Sequence, residues 1–378
     1  MDDLAPPGSL SLAFIANPGH VLVRRWVSFF ARRGHSVTVL EGFGNAPEAE
    51  LGDGVRIVRY DARGSIRLPF ASALHSRSTV RRLLREIQPD VVHAHSVRPY
   101  GWQAGVAGIH PYVISTWGSD VLMPQPGMRP RFWQRRTLSR ADLVTAVSPY
   151  MRDAAIANGA IPERVVQVQF GVDTGRYVPR SDAFDALAHL GLGGHPFVFS
   201  PRAIKPIYNH LTILDAFASA GDGHRLVMTA RNAEPDHLAE ICRAIEGRGL
   251  RDRVHIVDNA SDDEMLALYQ AARAVVSAPL SDSFPISLLE AMACGTPIVA
   301  GDLPPVRAVL ESIAPDAIVP TLDAQAMGRV LRRALALDPS ERARRGSVLR
   351  ELVVATADYE TNMIQMEQHY RSIASTTP

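Results

Sequence analysis

Short apolar runs alternate with longer stretches of helical periodicity along the whole chain. Residues 10–16, LSLAFIA, form an apolar run closed by NPGH; residues 21–33 then repeat apolar positions at helical spacing, and GHSVTVL at 34–40 forms a second run. That succession predicts strand, glycine turn, helix and strand. It recurs as a helix over 77–87, strands in DVVHAH (90–95) and PYVIST (111–116), a basic helix near 129–139 and a strand in ADLVTAVS (141–148). The rhythm breaks at 169–182, QFGVDTGRYVPRSD, whose turn residues and proline read as a linker. A second alternation follows, with strands at 196–200, 224–230, 253–258, 274–279 and 297–301 separated by helices at 208–219, 235–246, 262–271 and 285–293. Strands joined through helices build parallel sheets covered on both faces. The expected class is α/β, with two doubly wound domains facing across a cleft. Their expected bounds are 1–176 and 177–356, followed by an amphipathic tail carrying Tyr359, Met363, Met366 and Tyr370 at helical spacing, able to pack on either domain. Of the two, the first is the expected seat of the helix at 357–378.

Composition agrees with two cores. The chain has 378 residues, 46% of them hydrophobic, which suits two domains of about 150–200 residues. No apolar run approaches the roughly 18 residues of a membrane span, and MDDLAPPGSL lacks the basic start of a signal peptide, so the reading is cytoplasmic. Cys242 and Cys294, far apart in sequence, suit inert thiols, and a structural zinc site is excluded.

Charge divides the chain. The formal net charge is +1, yet residues 1–180 hold 22 basic and 14 acidic side chains, +8, against −7 for the remainder. In the basic half, RRWVSFFARR (24–33), VRRLLREI (80–87) and RPRFWQRRTLSR (129–140) interleave Arg with Trp, Phe or Leu. An interfacial helix or an anionic-ligand surface has that composition, which makes the cytoplasmic face of a membrane a candidate partner; a plain solvated face is the simpler reading. Nucleic acid is a poor partner, because net charge is near zero and no recognition element is present. Lys205 is the sole lysine among 40 basic residues.

Ligands of open parallel sheets sit beyond the carboxyl ends of the strands, which directs attention to the turns at 17–20, 115–120, 200–207 and 281–287. The last opens SDSFPISLLEAMACGTPIVAG (281–301). Pro285 suits the first helical turn and Gly295 suits its end. The amides of Phe284, Ile286 and Ser287 then lie at the positive end of a helix, where a phosphate is well received, with Asp282 at the lip. Glu290, flanked by Leu288, Leu289, Ala291 and Met292, needs a hydrogen-bonding partner. The plain alternative makes Asp282 a helix-start residue and Ser287 with Glu290 a capping box.

These residues resemble the signature of retaining family-4 glycosyltransferases of the GT-B fold: an acid, seven intervening residues, a glutamate, then EAMACGTPIVA. Further segments fit that family in order, among them NPGHVLVRRWVSFFARRGHSVTVL, PDVVHAHS, STWGSDVL, FGVDTGRYVP and SPRAIKPIYN, so the likeness covers nearly the whole chain. It implies two Rossmann-like domains, a nucleoside diphosphate sugar as co-substrate, and neither a metal nor a cofactor. Position by position, it puts Glu290 on the ribose hydroxyls, Asp282 and the backbone of Ser283, Phe284, Pro285, Ile286 and Ser287 at the sugar and its phosphate, and Arg202 with Lys205 on the diphosphate. Gly19 is expected to admit the diphosphate or donor sugar closely, and Asn259 to read the base. His20 and Trp117 are acceptor-side candidates, and His95 and Asp120 are candidates for meeting the acceptor hydroxyl.

Three departures stand out. Asp282 replaces the more usual Glu; Lys205 lies two places before the usual lysine position, which is Ile207; and Trp117 in TWGSD stands where many members carry histidine. The resulting expectation is sugar transfer from a nucleoside diphosphate to an acceptor hydroxyl, the acceptor being lipid-linked, a small molecule or a glycan. A non-catalytic nucleotide-sugar binder, or an epimerase or hydrolase of the same fold, is the alternative.

Overall fold

The computed structural model describes residues 8–43, 51–62, 69–123, 127–192 and 194–375, with backbone alone over 69–77. The chain forms two compact units: Met1–Phe170 joined by Thr361–Pro378, and Gly171–Glu360. Each builds its own parallel sheet.

Unit 1 contains β1 Ser11–Ile15, β2 Ser36–Glu41, β3 Val55–Arg59, β4 Val91–His95, β5 Tyr112–Ser115, β6 Leu143–Ala146 and β7 Val165–Gln167. Their order is β3-β2-β1-β4-β5-β6-β7. The direction of winding therefore reverses between β1 and β4, which pair with Phe14 opposite His93. Central strands are buried along their length, as both faces of such a sheet carry helices. In the helix Val21–Arg32, the side chains of Trp26, Phe29 and Phe30 are turned into the core. The helix Pro149–Ala157 begins with Ser148, whose side chain accepts from Met151 N, followed by proline at the first position.

The terminal helix Tyr359–Ser375 belongs to unit 1 from Thr361 onward, and buries Met363, Met366 and Tyr370 there. Trp26 Nε1 donates to Tyr370 Oη at 3.1 Å, and that hydroxyl also meets His93 Nδ1. His93 Nε2 lies 2.8 Å from Ser115 Oγ, which lies 2.7 Å from Thr145 Oγ1. A polar thread thus crosses the unit from the terminal helix through three strands. Outside it, Glu367 pairs with Arg33 at 2.5 Å and with Arg371 at 2.6 Å.

Unit 2 contains β8 Phe197–Ala203, β9 Arg225–Thr229, β10 Val254–Val257, β11 Ala274–Ser277, β12 Ile298–Gly301 and β13 Ile318–Val319, in the order β10-β9-β8-β11-β12-β13. Its winding reverses between β8 and β11. One face is closed by the helices His210–Ser219, Pro235–Gly247 and Ala324–Leu335, whose Phe217, Ile241 and Leu331 meet Leu226 and Val276 of the sheet. The helix Ile286–Ala293 packs near Pro339–Thr356, and Gly295 and Gly346 set that approach: a Cβ on Gly346 would fall 2.2 Å from the Gly295 carbonyl oxygen. Gly295 also takes φ +67°, so its missing side chain both ends one helix and admits the other.

Both cysteines are free, as their spacing suggested. Cys294 is buried, and burial with the nearby Glu290 charge pushes its thiol up to about 12. No helix among the described residues is long and apolar enough to cross a membrane.

Candidate functional site at the switch point of unit 2

The turns that follow β8 and β11 lie side by side because those strands are neighbours at the reversal of winding, the place where an open parallel sheet leaves room for a ligand. The pairing of β8 with β9 is irregular between Ser200 and Ala203, which releases Pro201 and Arg202 from regular register. Arg202 keeps only 19% of its side chain exposed; its Nη2 stands 3.1 Å from Asp282 Oδ2 and its guanidinium covers the Tyr208 ring at 4.1 Å. The Asp282 contact is an ion pair and not a directed hydrogen bond, since Oδ2 has no donor in hydrogen-bond geometry. The other carboxylate oxygen accepts from Ser283 N at 2.8 Å.

Two more contacts stiffen this pair of turns. Leu280 N donates to the Ile207 carbonyl at 2.8 Å, joining one turn to the other. His210 Nε2 donates to the Arg202 carbonyl at 3.2 Å, and burial pushes its imidazole down to about 4, so the ring is neutral. Lys205 precedes the short turn Pro206–Tyr208 and is half-buried; no ion pair of Lys205 occurs among the described residues.

The helix Ile286–Ala293 points its amino end at these turns. Pro285 is its cap and no side chain caps it, so the capping box read as the plain alternative does not form. Ser287 Oγ is buried without a hydrogen-bond partner. The Ile286 amide differs from expectation: it donates to the Phe284 carbonyl at 3.0 Å, because the chain tightens before the helix begins. Farther along, Glu290 is half-buried and accepts a hydrogen bond from Tyr269, whose hydroxyl is held well above its ordinary value by burial and by the Glu290 charge. Asn259 is exposed beyond β10, two strands from β8 in the order of the sheet.

Unit 1 has its own cluster at the β1 and β4 reversal. His20 caps the helix Val21–Arg32 through Leu22 N and sets its ring edge against Trp117 at 4.6 Å. The Gly19 amide is engaged by Asn17 Oδ1 at 2.9 Å, which closes the turn internally. His95 sits behind Trp117: it is 1% exposed and ringed by Phe14, Trp26, His93 and Trp117 at 4.5–5.7 Å. Burial pushes its imidazole down to about 3. His95, expected to meet an acceptor hydroxyl, is thus enclosed by aromatic rings with its imidazole neutral. Asp120 is likewise given other work. Its Oδ1 accepts from Trp117 N and Gly118 N, and its Oδ2 from Val97 N, so it braces two turns from within. Burial raises its carboxyl above the usual range against the opposing pull of those amides.

Tyr208, Tyr269 and His210 were not singled out in the sequence, although Tyr208 lay within the matching segment SPRAIKPIYN. Phenols and a histidine that hold another residue in place carry no spacing of their own. No group of three or more His, Cys, Asp or Glu suited to a metal occurs among the described residues. A cavity of about 300 Å³ lies at the amino end of β12, lined by Pro297, Ile298, Val330, Arg333 and Leu349, away from the switch point.

Two parallel sheets of reversed winding, one with Arg202 paired to Asp282 just before an uncapped helix start, define a two-domain α/β architecture whose switch points suit anionic ligands. Comparison with known proteins gives the family. The family model described as glycosyl transferase 4-like matches residues 11–148, and that of glycosyl transferases group 1 matches 188–347. The chain belongs to the group 1 glycosyltransferases of GT-B fold and is an enzyme that transfers sugars.

Among its relatives are the GDP-mannose:cellobiosyl-diphosphopolyprenol alpha-mannosyltransferase of Xanthomonas campestris, 28% identical over 70% of this chain and 67% of that protein, and a D-inositol 3-phosphate glycosyltransferase of Actinosynnema mirum, 29% identical over 75% and 76%. In fold, the chain is similar to a glycosyltransferase from Rickettsia africae (TM-score 0.83, 14% identical, covering 98% of this chain and 100% of that one). It is also similar to Anabaena HepE in complex with UDP and glucose (TM-score 0.80, 18% identical, covering 96% and 100%).

Proposed function

We propose that this enzyme moves a sugar from a nucleoside diphosphate sugar to an acceptor hydroxyl with retention at the anomeric carbon, and that its donor site is the switch point of unit 2. One observation carries the reading: Arg202 and the uncapped start of Ile286–Ala293 flank the same pair of turns. A diphosphate received there meets a guanidinium held by Asp282 and Tyr208 and the positive end of a helix. Glu290, oriented by Tyr269, is the carboxylate that receives the ribose hydroxyls, and Lys205 adds a second cation beside the same turn.

In the step itself, the bond from the anomeric carbon to the diphosphate oxygen breaks while the acceptor oxygen forms a bond on the same face. The acceptor proton passes to the departing phosphate oxygen. Such a route asks the protein for fixed positive charge and positioning and not for a strong base. That is why sealing His95 and binding Asp120 to backbone amides leaves the chemistry intact. Acceptor recognition falls to unit 1, where the half-buried Trp117, packed against His20, supplies an indole whose face suits the apolar side of a sugar.

The relatives are named for GDP-mannose and for inositol phosphate, and a structural neighbour holds UDP and glucose, so the base is an object of the test. The test is a thermal-shift screen with UDP, GDP, ADP and their glucose or mannose conjugates, because a ligand bound by the native state alone raises the melting point by mass action. One nucleotide series should shift it, and Arg202→Ala and Glu290→Ala should abolish the shift and cut kcat/KM by about 10²–10³. Full transfer rates in both variants would remove the site from unit 2's switch point. Donor consumption without any glycosylated product would mean hydrolysis or epimerisation instead.

A further inference from the structure

The cavity of about 300 Å³ in unit 2 takes no part in the donor site. It lies at the amino end of β12, whereas Arg202 and Asp282 stand at or beyond the carboxyl ends of β8 and β11. Ile298 and Leu349 are buried parts of its lining. Val330 and Ala334, one turn apart on the helix Ala324–Leu335, line it too, and Val348 does so from the helix Pro339–Thr356. Val330 and Ala334 are too small to close the space between the two helices, so a void remains where larger side chains would have interlocked. Apart from its charged groups, the lining is aliphatic throughout.

Positive charge gathers at the rim. Arg333, Arg344 and Arg345 line the cavity and are exposed, with Asp316 as the acid among the lining residues. Arg345 pairs with Asp316 at 2.7 Å, and Arg344 and Arg345 both reach Glu341 at 2.8 Å. Arg333 enters no ion pair among the described residues. A further acid, Asp338, turns Oδ1 onto the amides of Ser340 and Glu341. Arg273 donates to the carbonyls of Leu335 and Leu337 at 3.4 and 3.2 Å, which brings another cation to the same junction of helices. An anion placed at Arg333 therefore meets an excess of positive charge and breaks no existing pair.

We propose that this cavity is a binding site for a small organic anion, its apolar body lodged between the helices Ala324–Leu335 and Pro339–Thr356 and its carboxylate, sulfonate or phosphate on Arg333. Size sets the body: an apolar cavity of roughly 150 Å³ accepts one benzene ring, so about 300 Å³ suits a body of about two rings. Chemistry sets the rest. A wholly apolar guest leaves Arg333 idle, and a hydrated inorganic anion leaves the aliphatic walls wet, so walls and cation together select a molecule that has both parts. None of these residues belongs to the donor site, so the proposal and the sugar-transfer reading fail separately.

The test is fluorescence titration of the full chain with anilinonaphthalene sulfonate, an aromatic anion, and with phenylnaphthylamine, its uncharged analogue. The sulfonate should fill a single site per chain with a Kd of about 20–100 µM, the range expected of a ligand of its size, and the neutral analogue should bind at least about tenfold more weakly. Arg333→Gln should weaken the sulfonate about tenfold and leave the neutral probe and the melting temperature unchanged, because that side chain is exposed and unpaired. Ala334→Leu extends a side chain into the cavity and should weaken both probes. Arg202→Ala should bind both as wild type does. Equal affinity of wild type for the two probes, undiminished sulfonate binding by Arg333→Gln, or no binding at all overturns the proposal. Loss of the sulfonate in Arg202→Ala overturns it too, and moves the probe to the switch point.

Discussion

Asp282→Asn isolates what the acid at the donor site does. In the ligand-free molecule its carboxylate stands 3.1 Å from the Arg202 guanidinium, with side chains 10% and 19% exposed. At that distance the Coulomb energy is about 1 kcal/mol in water and about 5 kcal/mol at an effective dielectric near 20. A diphosphate arriving at the turn must share Arg202 with Asp282 and also approach a negative charge. Asparagine keeps an oxygen for the Ser283 amide, and thus the shape of the turn, while removing the charge. Loss of the tether that holds Arg202 offsets part of the gain, which leaves about 1–1.4 kcal/mol. The nucleoside diphosphate should therefore bind Asp282→Asn about five- to tenfold more tightly than wild type. Turnover should fall at least about tenfold, because the same acid is assigned to the donor sugar. Calorimetric titration of wild type, Asp282→Asn and Arg202→Ala at low and high salt reads this directly, and the wild-type handicap should shrink as salt screens it. If Asp282→Asn instead loses nucleotide affinity in step with Arg202→Ala, the aspartate is what makes Arg202 competent and the competition argument is wrong.

Three further outcomes follow from the packing. His95 has a folded-state value of about 3 against an ordinary 6.5, so the unfolded chain binds its proton first as pH falls; the stability it contributes is complete above about pH 6.5 and lost progressively down to about pH 3, amounting to about 2 kcal/mol by pH 5. His95→Phe should flatten the acid limb of a melting-temperature profile, and an unchanged limb would show that the ring titrates in the folded state. Gly171→Ala places a Cβ 2.5 Å from Tyr359 Cα on a backbone at φ +70°, and should cost about 2–4 kcal/mol in urea unfolding. Tyr370→Phe strips the partner from Trp26 Nε1 and His93 Nδ1, and should cost about 2–4 kcal/mol; a loss below about 1 kcal/mol would mean the two rings find other partners.

Periodicity alone carried much of the architecture. The runs at 10–16, 90–95, 196–200 and 274–279 each became a central strand, because a strand buried on both faces must be apolar throughout and is legible as such. Several of the elements it missed lack that pattern. β3 is an edge strand of half-exposed residues, β7 and β13 have three and two residues, and the helix Pro339–Thr356 shows almost no one-sided apolar stripe. Likewise the spacing of Asp282, Pro285, Glu290 and Gly295 along one turn and helix was local, and a local pattern survives in one dimension.

What the chain could not display in one dimension was partnership. Arg202 and Asp282 are eighty residues apart, and they meet because β8 and β11 are neighbours in a sheet whose order only folding establishes. The same holds for Tyr269 beside Glu290, and for the choice among three basic blocks, where packing buried two and exposed the third. His95 and Asp120 make the point in reverse. Each stood at the carboxyl end of a strand or in the turn beyond it, as a reactive group might, and the Trp26 and Trp117 rings closing over one and the Val97 amide reaching the other are long-range contacts. Residue type and spacing determine which chemistry a segment can support, whereas burial and neighbours, which are properties of the packed chain, decide whether it is available.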